Sequence, residues 1–482
     1  MTYFFETYGC QMNIAESAAV EQLFLARGWQ KADDVQKADI VVINTCSVRA
    51  TAEQRIFGRL GFFSGLKAVR AKTPGAKNKS LEIAAEFVKD GAKPLTLVVM
   101  GCMAERLLHS LKKDWPCVDY VVGTFAKKNF GKIISAVEEA SMEGRGISSN
   151  CASLDSAFEL DDSSKYEFAA VSLEQGAFSS FMPIMHGCNN FCTYCIVPYV
   201  RGREISRDVN SILKELDVLS KYGVKEITLL GQNVNSYFCE NSDFGKINFP
   251  ALLKIISRHL EKTDSPIKWI RFESSHPKDF SDELIEVIAS EARVCKFIHL
   301  PVQHGSTRIL QKMNRRYSRE NYLELVKKIR AHIPNVALTT DIMLGFPGES
   351  EEAFSEAISL MRDVRYDNAF MYYYNPREGT PAAEWDDQIP LEEKKSRLQK
   401  IIDLQLEITS QKLRERVGQI VTVLAEKQSR DNPNEILGKT ERDERVAFSA
   451  PKNLLGNFAE VKLLELNGNT FKGELVNFSA AQ

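Results

Sequence analysis

The feature that most limits how this chain can fold is an alternation of apolar runs with amphipathic segments, which occurs twice along the sequence. In the N-terminal part, runs typical of buried strands are separated by segments with helical apolar spacing. We predict strands at Tyr3–Tyr8, Ile40–Thr45, Leu95–Met100 and Tyr120–Val122, and helices at Ile14–Arg27, Val48–Phe62 and Ala104–Lys113. Strands that alternate with helices predict a parallel sheet covered on both faces.

The second alternation follows a segment rich in Gly, Ser and acidic residues, at 142–176, which we interpret as a linker. Six apolar runs, separated by long amphipathic helices, predict a full or partial β/α barrel. These runs are Phe181–Met185, Glu226–Leu230, Lys268–Phe272, Phe297–Leu300, Ala337–Met343 and Ala369–Tyr373, and the helices include Val209–Tyr222, Arg319–Ala331 and Leu391–Arg416.

The C-terminal part changes to short β-rich runs between Asn, Gly and Pro turns, which predicts a small antiparallel β-barrel. The runs are Gln419–Ala425, Arg445–Phe448, Ala459–Glu465 and Phe471–Val476. We therefore expect an α/β multidomain protein with an N-terminal parallel α/β domain at 1–141, the linker at 142–176, the partial barrel at 177–411 and the small barrel at 412–482.

The charge balance and the cysteine count narrow the class of protein. There are 62 basic and 64 acidic residues, so any nucleic-acid surface must be local. The N-terminus lacks the pattern of an export signal and no apolar stretch is long enough to span a membrane, so we expect a cytoplasmic protein without membrane contact. Ten cysteines in a reducing compartment favour metal ligation or chemistry over disulfides.

Three of the cysteines directly follow predicted strands of the N-terminal sheet. Cys10, Cys46 and Cys102 stand in TYGCQMN, NTCSV and MGCMAE. The carboxyl ends of parallel strands line one edge of a sheet, so these side chains can converge although they are distant in sequence. Three thiolates at one edge indicate a metal or iron–sulfur site, whereas a single one would more simply be a small buried hydrophobe.

A sharper signal is the spacing C-x3-C-x2-C of Cys188, Cys192 and Cys195 after the first strand of the second series. Three thiolates from one loop can hold three irons of a cubane cluster and leave the fourth without a protein ligand. The alternative is a structural zinc site, but such sites take four ligands and only His186 could complete this set locally.

This loop, with an aromatic residue before its last cysteine and a β/α barrel after it, resembles the radical S-adenosylmethionine superfamily. With the three upstream cysteines and the C-terminal β domain, it resembles the methylthiotransferases in particular. Further stretches are similar to the tRNA-modifying, MiaB-type branch: CTYCIVPYVRGREISR, LLGQNVNSY, SSHPKD, HLPVQHGS, DIMLGFPGE, YNPREGTPAA and GKTERDERV. Gln11 and Met12 after the first cysteine favour an isopentenylated adenosine as the substrate.

The resemblance implies two [4Fe-4S] clusters and S-adenosylmethionine as cofactors. Cys188, Cys192 and Cys195 match the radical-generating cluster, and Cys10, Cys46 and Cys102 match an auxiliary cluster that delivers sulfur. The implied reaction adds a methylthio group to carbon 2 of the adenine just 3′ of the anticodon. One S-adenosylmethionine gives the methyl group and a second gives the radical. A tRNA anticodon stem-loop, an electron donor such as flavodoxin or ferredoxin and a monomeric enzyme are implied.

Two groups of alternatives stay open at this point. The same chemistry could act on threonylcarbamoyladenosine or on an aspartate of a ribosomal protein. A different class would be a non-catalytic iron–sulfur electron carrier or a zinc-stabilised RNA-binding protein. Neither of the latter explains a C-x3-C-x2-C loop on a barrel rim.

Ligand sites of such barrels lie at the carboxyl ends of the strands, so residues there are candidates for the cofactor pocket. The candidates are Tyr194, Gln232, Asn233, Ser274, Gln303 and the stretch from Ile342 to Phe346. For each polar candidate the alternative is an ordinary cap or turn. His304 stands where many relatives carry Ser.

Two basic runs and a row of tyrosines are candidates for RNA contact. The runs are Arg55–Lys79 and Arg308–His332, although such runs are usually solvated helix faces. Tyr372, Tyr373 and Tyr374 could stack on a base, or alternate members could face the core. The C-terminal module resembles the TRAM domain, which is associated with RNA binding. The segment 64–93 is longer than the family leads us to expect.

Overall fold

The structure, a computed structural model, describes residues 1–47, 50–70, 94–142, 166–173, 176–430 and 432–478. They form two compact units, of which the first comprises Met1–Glu174, His186–Asn189 and Ile196–Ile205. The second comprises Gln175–Met185, Asn190–Cys195 and Ser206–Gln482. Most of the predicted linker and residues 71–93 of the long segment lie outside the described residues. The domain boundaries predicted from sequence stay a prediction.

The first unit contains the expected parallel sheet. Its strands run in the order β2-β1-β3-β4-β5, and every neighbouring pair is parallel. They are β1 (Thr2–Tyr8), β2 (Gln30–Lys31), β3 (Ile40–Thr45), β4 (Thr96–Gly101) and β5 (Tyr120–Val122). The helices of this unit are α1 (Gln11–Leu25), α2 (Ala50–Arg70), α3 (Cys102–Arg106), α4 (Leu111–Asp114), α5 (Phe130–Met142) and α6 (Val197–Arg201).

Successive side chains of the central strands pack into two different cores, because they point to opposite faces of the sheet. Val41 and Val99 pack with residues of α2, whereas Val42 and Val98 pack with residues of α1 and α5. This confirms that helices cover both faces. Two details differ from the sequence prediction: α2 continues to Arg70, and the helix expected at Ala104–Lys113 is two short helices separated by a turn.

The second unit begins with six parallel strands in two three-stranded sheets, β6-β9-β12 and β13-β14-β15. Ile270 in β12 joins them, because its N–H donates to the Arg293 carbonyl and its own carbonyl accepts from the N–H of Cys295, just before β13. The strands are β6 (Ser179–Pro183), β9 (Glu226–Leu230), β12 (Trp269–Phe272), β13 (Phe297–His299), β14 (Ala337–Leu344) and β15 (Asn368–Tyr373). The partial β/α barrel is confirmed.

Helices follow the barrel strands, and their ends are defined by capping side chains. Asp208, Ser281 and Ser350 each accept a hydrogen bond from a backbone N–H in the first turn of the helix that follows. The helices are α7 (Val209–Lys221), α8 (Phe249–Lys262), α9 (Asp282–Ser290), α10 (Thr307–Lys312), α11 (Arg319–His332), α12 (Glu351–Val364) and α13 (Leu391–Arg414). The short strands β7 (Met185–His186), β8 (Ile205–Ser206), β10 (Phe238–Asn241) and β11 (Gly245–Asn248) complete this part.

The C-terminal strands close into a five-stranded barrel in the order β16-β17-β18-β20-β19. They are β16 (Ile420–Gln428), β17 (Glu435–Thr440), β18 (Arg445–Ser449), β19 (Phe458–Asn467) and β20 (Thr470–Phe478). The small barrel is confirmed, with two differences in detail. β17 was not among the predicted runs, because its sequence EILGKT carries little apolar signal, and β18 pairs with β20 in parallel.

Buried ion pairs fasten this barrel to the barrel of parallel strands within the second unit. Arg271 donates to the Glu226 carboxylate and to the carbonyls of Thr440 and Glu441, and Lys439 pairs with Glu226 at 2.6 Å. Asp367 accepts from Arg442 and from Lys412, each at 2.7 Å. The two carboxylates therefore depend on cations of the C-terminal segment.

Candidate functional site

The structure brings together the three cysteines that follow strands of the first unit. β1, β3 and β4 are neighbours in the sheet, so Cys10, Cys46 and Cys102 follow at adjacent carboxyl ends. The Cys46 thiol forms a hydrogen bond with Cys10, which, with the charge of Arg201, lowers the pKa of Cys10 to about 6. Burial raises the pKa of Cys102, against the opposing charge of Arg201. Cys10 is exposed, whereas Cys46 and Cys102 are buried.

Two asparagines fix the strand ends on which Cys10 and Cys46 stand. The Asn13 side chain accepts from the Cys10 N–H at 3.2 Å and donates to Asn44 Oδ1 at 2.9 Å and to the Thr45 carbonyl at 3.1 Å. Asn44 in turn donates to the Asn13 carbonyl and to Ser17. This buried network holds the start of α1 against the end of β3.

Glycines precede Cys10 and Cys102 because no side chain fits at either position. A Cβ on Gly101 would lie 2.5 Å from both the Thr45 carbonyl oxygen and Asn44 Oδ1, and the residue has a φ of 97°. A Cβ on Gly9 would lie 2.9 Å from the Cβ of Cys46. The close approach of the strand ends therefore requires glycine at both positions.

Arg201, at the end of α6, contacts this cysteine group. Its Nε donates to Cys102 Sγ at 3.2 Å, and its Nη1 donates to Glu16 at 2.8 Å. Glu16 also pairs with Lys127 at 2.6 Å. Burial raises the pKa of Glu16, but the charges of Arg201 and Lys127 more than offset this and lower it to about 2. The arginine beside Cys102 is thus paired with a buried carboxylate that it shares with Lys127.

The loop with the second cysteine set is anchored within the second unit by the turn after α10. The Thr193 N–H donates to the Met313 carbonyl at 3.2 Å, and Asn314 Nδ2 donates to the carbonyls of Asn190 and Phe191 at 3.2 and 3.0 Å. Arg315 Nη1 donates to Cys192 Sγ at 3.6 Å. Cys188 belongs to the first unit, where its N–H donates to the Gly202 carbonyl.

Two of the predicted pocket residues lie together in an aromatic cluster. Tyr194 packs edge-on against Phe346, which also contacts Tyr374 and Trp385. Burial raises the pKa of Tyr194 well above its usual value. Tyr374 is buried here and is not available to stack on a base, whereas Tyr372 and Tyr373 are half-buried.

The other pocket candidates lie at or near the carboxyl ends of the barrel strands. Gln232 and Asn233 follow β9, Ser274 follows β12, and Gln303 follows β13 and bridges to β14. Ser274 and Gln303 both have a φ of 68°. Ile342 lies within β14, fully buried, rather than after it, because that strand continues to Leu344.

Several buried polar atoms at this rim have no hydrogen-bond partner among the described residues. They are Gln232 Oε1, Asn233 Oδ1, both amide atoms of Asn235, Ser275 Oγ and His276 Nε2. Buried polar atoms are normally satisfied, so such a concentration indicates a place for a polar ligand. Asn235, Ser275 and His276 were not predicted, although they stand in the quoted stretches LLGQNVNSY and SSHPKD.

His304 is fully engaged with protein groups. It accepts from the Ser306 N–H at Nδ1 and contacts Glu349 at 3.1 Å through Nε2. Glu349 also accepts from Arg397 and from the Gly345 N–H. The histidine therefore supports the loop after β14 from within the core.

Most basic side chains of the two candidate RNA runs have internal partners. In α2, Arg59 pairs with Glu6, Lys67 with Asp119, and Arg70 donates to the Ala38 carbonyl. In the second run the partners are Asp387 for Lys312, Asp363 for Arg319 and Asp282 for Lys328. The described parts of both runs are therefore largely structural, and the exposed arginines in them are Arg55, Arg308 and Arg316.

No group of three or more His, Cys, Asp or Glu side chains in the described part of the chain is placed to hold a single metal ion. A structural zinc site needs its ligands around one ion, whereas a cubane cluster takes each thiolate on a separate iron.

Family models match three parts of the chain: the Radical SAM superfamily at residues 182–361, Uncharacterized protein family UPF0004 at 2–123 and the TRAM domain at 414–476. A protein of Treponema pallidum subsp. pallidum named tRNA-2-methylthio-N(6)-dimethylallyladenosine synthase is 50% identical over 99% of each chain. Proteins of the same name from Treponema denticola and Geobacillus kaustophilus are 48% and 40% identical over 98% of this chain, and over 100% and 82% of their own. The chain belongs to this synthase family.

Membership in the synthase family confirms the resemblance found in the sequence, and a solved structure supports the fold. The radical S-adenosylmethionine methyltransferase TsrM from Kitasatospora setae superposes with a TM-score of 0.55 over 79% of this chain and 77% of its own, at 14% identity. Such a likeness shows the fold alone. Among the helices of the described residues, none is long and apolar enough to cross a membrane.

Proposed function

We propose that the chain is a tRNA methylthiotransferase that adds a methylthio group to carbon 2 of N(6)-dimethylallyladenosine, just 3′ of the anticodon. The observation that carries this is the gathering of Cys10, Cys46 and Cys102 at one sheet edge, in a chain that also has a C-x3-C-x2-C loop. The relatives of this chain are named as synthases rather than as electron carriers or RNA-binding proteins. The names of the family members support the tRNA substrate.

The thiol sets fit two [4Fe-4S] clusters, because thiolates are the ligands of such clusters and three leave one iron open. Cys188, Cys192 and Cys195 would hold the radical-generating cluster, and Cys10, Cys46 and Cys102 the auxiliary one. Bound clusters and two molecules of S-adenosylmethionine supply the radical, the methyl group and the sulfur. The residues of the chain bind and orient these groups.

The rim of the barrel fits S-adenosylmethionine by its donors and acceptors. The amino, carboxylate and ribose groups of that molecule need polar partners, and the unsatisfied atoms of Gln232, Asn233, Asn235, Ser275 and His276 offer them. We place Tyr194, Ser274, Gln303, Ile342 and Phe346 in or beside the same pocket. Burial lowers the pKa of His276 to about 2, so this imidazole stays neutral. Its Nδ1 accepts from the Lys278 N–H at 3.3 Å, so Nε2 carries the ring hydrogen and can donate one hydrogen bond.

The partners follow from the reaction. The substrate is the anticodon stem-loop of a tRNA, with the C-terminal barrel as one RNA-binding element. Reduction of the clusters requires an electron donor such as flavodoxin or ferredoxin. We expect the enzyme to act as a monomer in the cytoplasm.

The test is product analysis with the reconstituted full-length chain. After anaerobic reconstitution with iron and sulfide, the protein is incubated with S-adenosylmethionine, a strong reductant and an isopentenylated anticodon stem-loop. We expect a mass gain of one methylthio group on the RNA together with 5′-deoxyadenosine. Matched substrates are the same stem-loop with threonylcarbamoyladenosine and a ribosomal-protein segment with the target aspartate.

The outcomes separate the parts of the proposal. Methylthiolation of a matched substrate but not of the isopentenylated stem-loop would overturn the assigned substrate and keep the chemistry. No product and no 5′-deoxyadenosine, from protein shown to contain about eight irons as two cubane clusters require, would overturn the whole function.

A further inference from the structure

A buried arginine with no carboxylate partner contacts the second cysteine set. Arg315, in the turn between α10 and α11, is 5% exposed. Its Nε donates to the Tyr317 hydroxyl at 2.9 Å and its Nη2 to the Pro301 carbonyl at 2.9 Å. Its Nη1 points to Cys192 Sγ, 3.6 Å away. Among the residues that the structure describes, no carboxylate lies within ion-pair distance of this guanidinium.

The backbone around Arg315 is built to hold this contact. Asn314 and Arg316 on either side have φ values of 58° and 52°, so the turn is tightly bent. The Asn314 side chain binds the carbonyls of Asn190 and Phe191, and Thr193 Oγ1 donates to the Lys312 carbonyl at 2.9 Å. Turn and cysteine loop are therefore bound to each other at several points. The direction of the arginine is fixed by the fold.

A buried unpaired cation is costly, so a position like this is expected to serve a purpose. Two of the three groups that Arg315 contacts are neutral oxygens, which leaves the Cys192 sulfur as the place where a negative charge can balance it. Arg201 makes the same kind of contact with Cys102 in the first unit, but that arginine is paired with Glu16. The two arginines thus differ in whether a carboxylate pairs with them.

We propose that Arg315 raises the reduction potential of the iron–sulfur cluster held by Cys188, Cys192 and Cys195, by placing an uncompensated positive charge and a hydrogen bond on Cys192. The inference rests on the proposed function. Hydrogen bonds to cysteine sulfurs and the net charge around a cluster are the main protein controls of its potential. A nearby cation stabilises the reduced cluster, because that state carries one more negative charge. Arg315 is a positioning residue that acts through Cys192.

The experiment is a redox titration of the reconstituted full-length chain, in which electron paramagnetic resonance measures the reduced cluster at set potentials. A Cys10→Ala/Cys46→Ala/Cys102→Ala background assigns the signal to the loop cluster. Arg315→Gln removes the charge, and we expect the ratio of reduced to oxidised loop cluster at a fixed potential to fall roughly tenfold, which for a one-electron couple is a shift of about 59 mV. Arg315→Lys keeps the charge and should stay within about threefold of the parent.

Arg316→Gln is the matched control, because it removes a neighbouring arginine that is exposed and screened by water. It should change the ratio by less than about twofold. A potential of Arg315→Gln equal to that of the parent would overturn the proposal. If Arg315→Gln does not bind the cluster, Arg315→Lys provides the test. A reduction potential equal to that of the parent supports the role of the charge. A tenfold fall in the ratio of reduced to oxidised cluster overturns it. Failure of the proposed function is recognised separately, as absence of methylthiolated RNA from the parent chain.

Discussion

The two cysteine sets are built in different ways. Cys10, Cys46 and Cys102 come from three strand ends, up to 92 positions apart by their residue numbers, and are brought together by the order of strands in a parallel sheet. Cys188, Cys192 and Cys195 come from one loop, and the turn after α10 anchors that loop. The first set therefore depends on the packing of a whole sheet, whereas Cys192 depends on the contacts of one loop with a turn more than 120 positions further along the chain.

The electrostatic surroundings differ as well. The arginine beside Cys102 is paired with a buried glutamate, and the arginine beside Cys192 is not. Variants that affect one set and spare the other test this comparison.

The largest effect is expected from loss of a cysteine in either set. Cys192→Ala should lower 5′-deoxyadenosine formation by at least about a thousandfold, because this set is assigned to the radical-generating cluster. Cys46→Ala should abolish methylthiolation but keep cofactor cleavage within about tenfold. Both rates come from one quantitative assay of deoxyadenosine and modified RNA. Equal and complete loss of S-adenosylmethionine cleavage in both variants would show that the two cysteine sets do not have separate roles.

Removal of the carboxylate in the first unit comes next. Glu16→Gln leaves Arg201 and Lys127 buried without their anion, and we expect the free energy of unfolding to fall by about 3–5 kcal/mol. Denaturant unfolding measures this. Folding lowers the Glu16 pKa from 4.5 to about 2. The parent's higher free energy of unfolding, relative to the variant, is therefore fully present above about pH 4.5 and is lost as the pH falls towards 2. A constant difference across that range would contradict the assignment.

Gly101→Ala tests the strand ends without touching a cysteine. The added Cβ would lie 2.5 Å from the Thr45 carbonyl oxygen, at a residue with a positive φ. We expect the free energy of unfolding to fall by about 2–4 kcal/mol. Iron should be lost only from the site of Cys10, Cys46 and Cys102. The control is Gly58→Ala in α2, where nothing lies near the added atom. That change should be neutral or stabilise by about 0.5–1 kcal/mol. Unfolding curves and iron counts that match between the two variants would refute the steric explanation.

The smallest effect is expected at the anchor of the second loop. Asn314→Gly keeps the backbone freedom for a positive φ but removes the hydrogen bonds to Asn190 and Phe191, at a cost of about 1–2 kcal/mol. In the presence of a chelator, iron should leave the site of Cys188, Cys192 and Cys195 faster than in the parent. The rate of iron loss from the site of Cys10, Cys46 and Cys102 should not change. Faster loss from the auxiliary set instead would mean that the two sites are not independently held.

The fold could be predicted from the sequence where periodicity is strong. β3, β5 and β9 have the predicted bounds, because apolar strands flanked by helices leave little choice. β17 was missed because two of its three buried positions are Gly438 and Thr440, which give no apolar signal. α2 was predicted too short because Gly61 and Ser64 weaken its helical signal. The cysteines could be found because the parallel-sheet rule places strand ends together.

The contacts around the cysteines could not be found in this way. Arg201 stands in a quoted stretch, but its partner Cys102 is 99 positions earlier, and no local spacing connects them. Arg315 lies in a basic run that the sequence offers as a candidate for RNA contact or as a solvated helix face, and only its burial separates it from its exposed neighbour Arg316. Asn235, Ser275 and His276 became candidates only through unsatisfied atoms, which a sequence does not report.

The ion pairs between the two barrels of the second unit have a consequence for experiments on RNA binding. A common way to ask whether a C-terminal module contributes is to truncate the chain before it. Here truncation near residue 412 would remove Lys439, Arg442 and Lys412, which leaves Asp367 without its two cations and Glu226 with Arg271 as its remaining cation. Loss of activity in a truncated enzyme could therefore result from destabilisation of the barrel of parallel strands as well as from loss of RNA binding. Substitutions of exposed side chains on the intact module are the sounder way to measure its share of tRNA affinity.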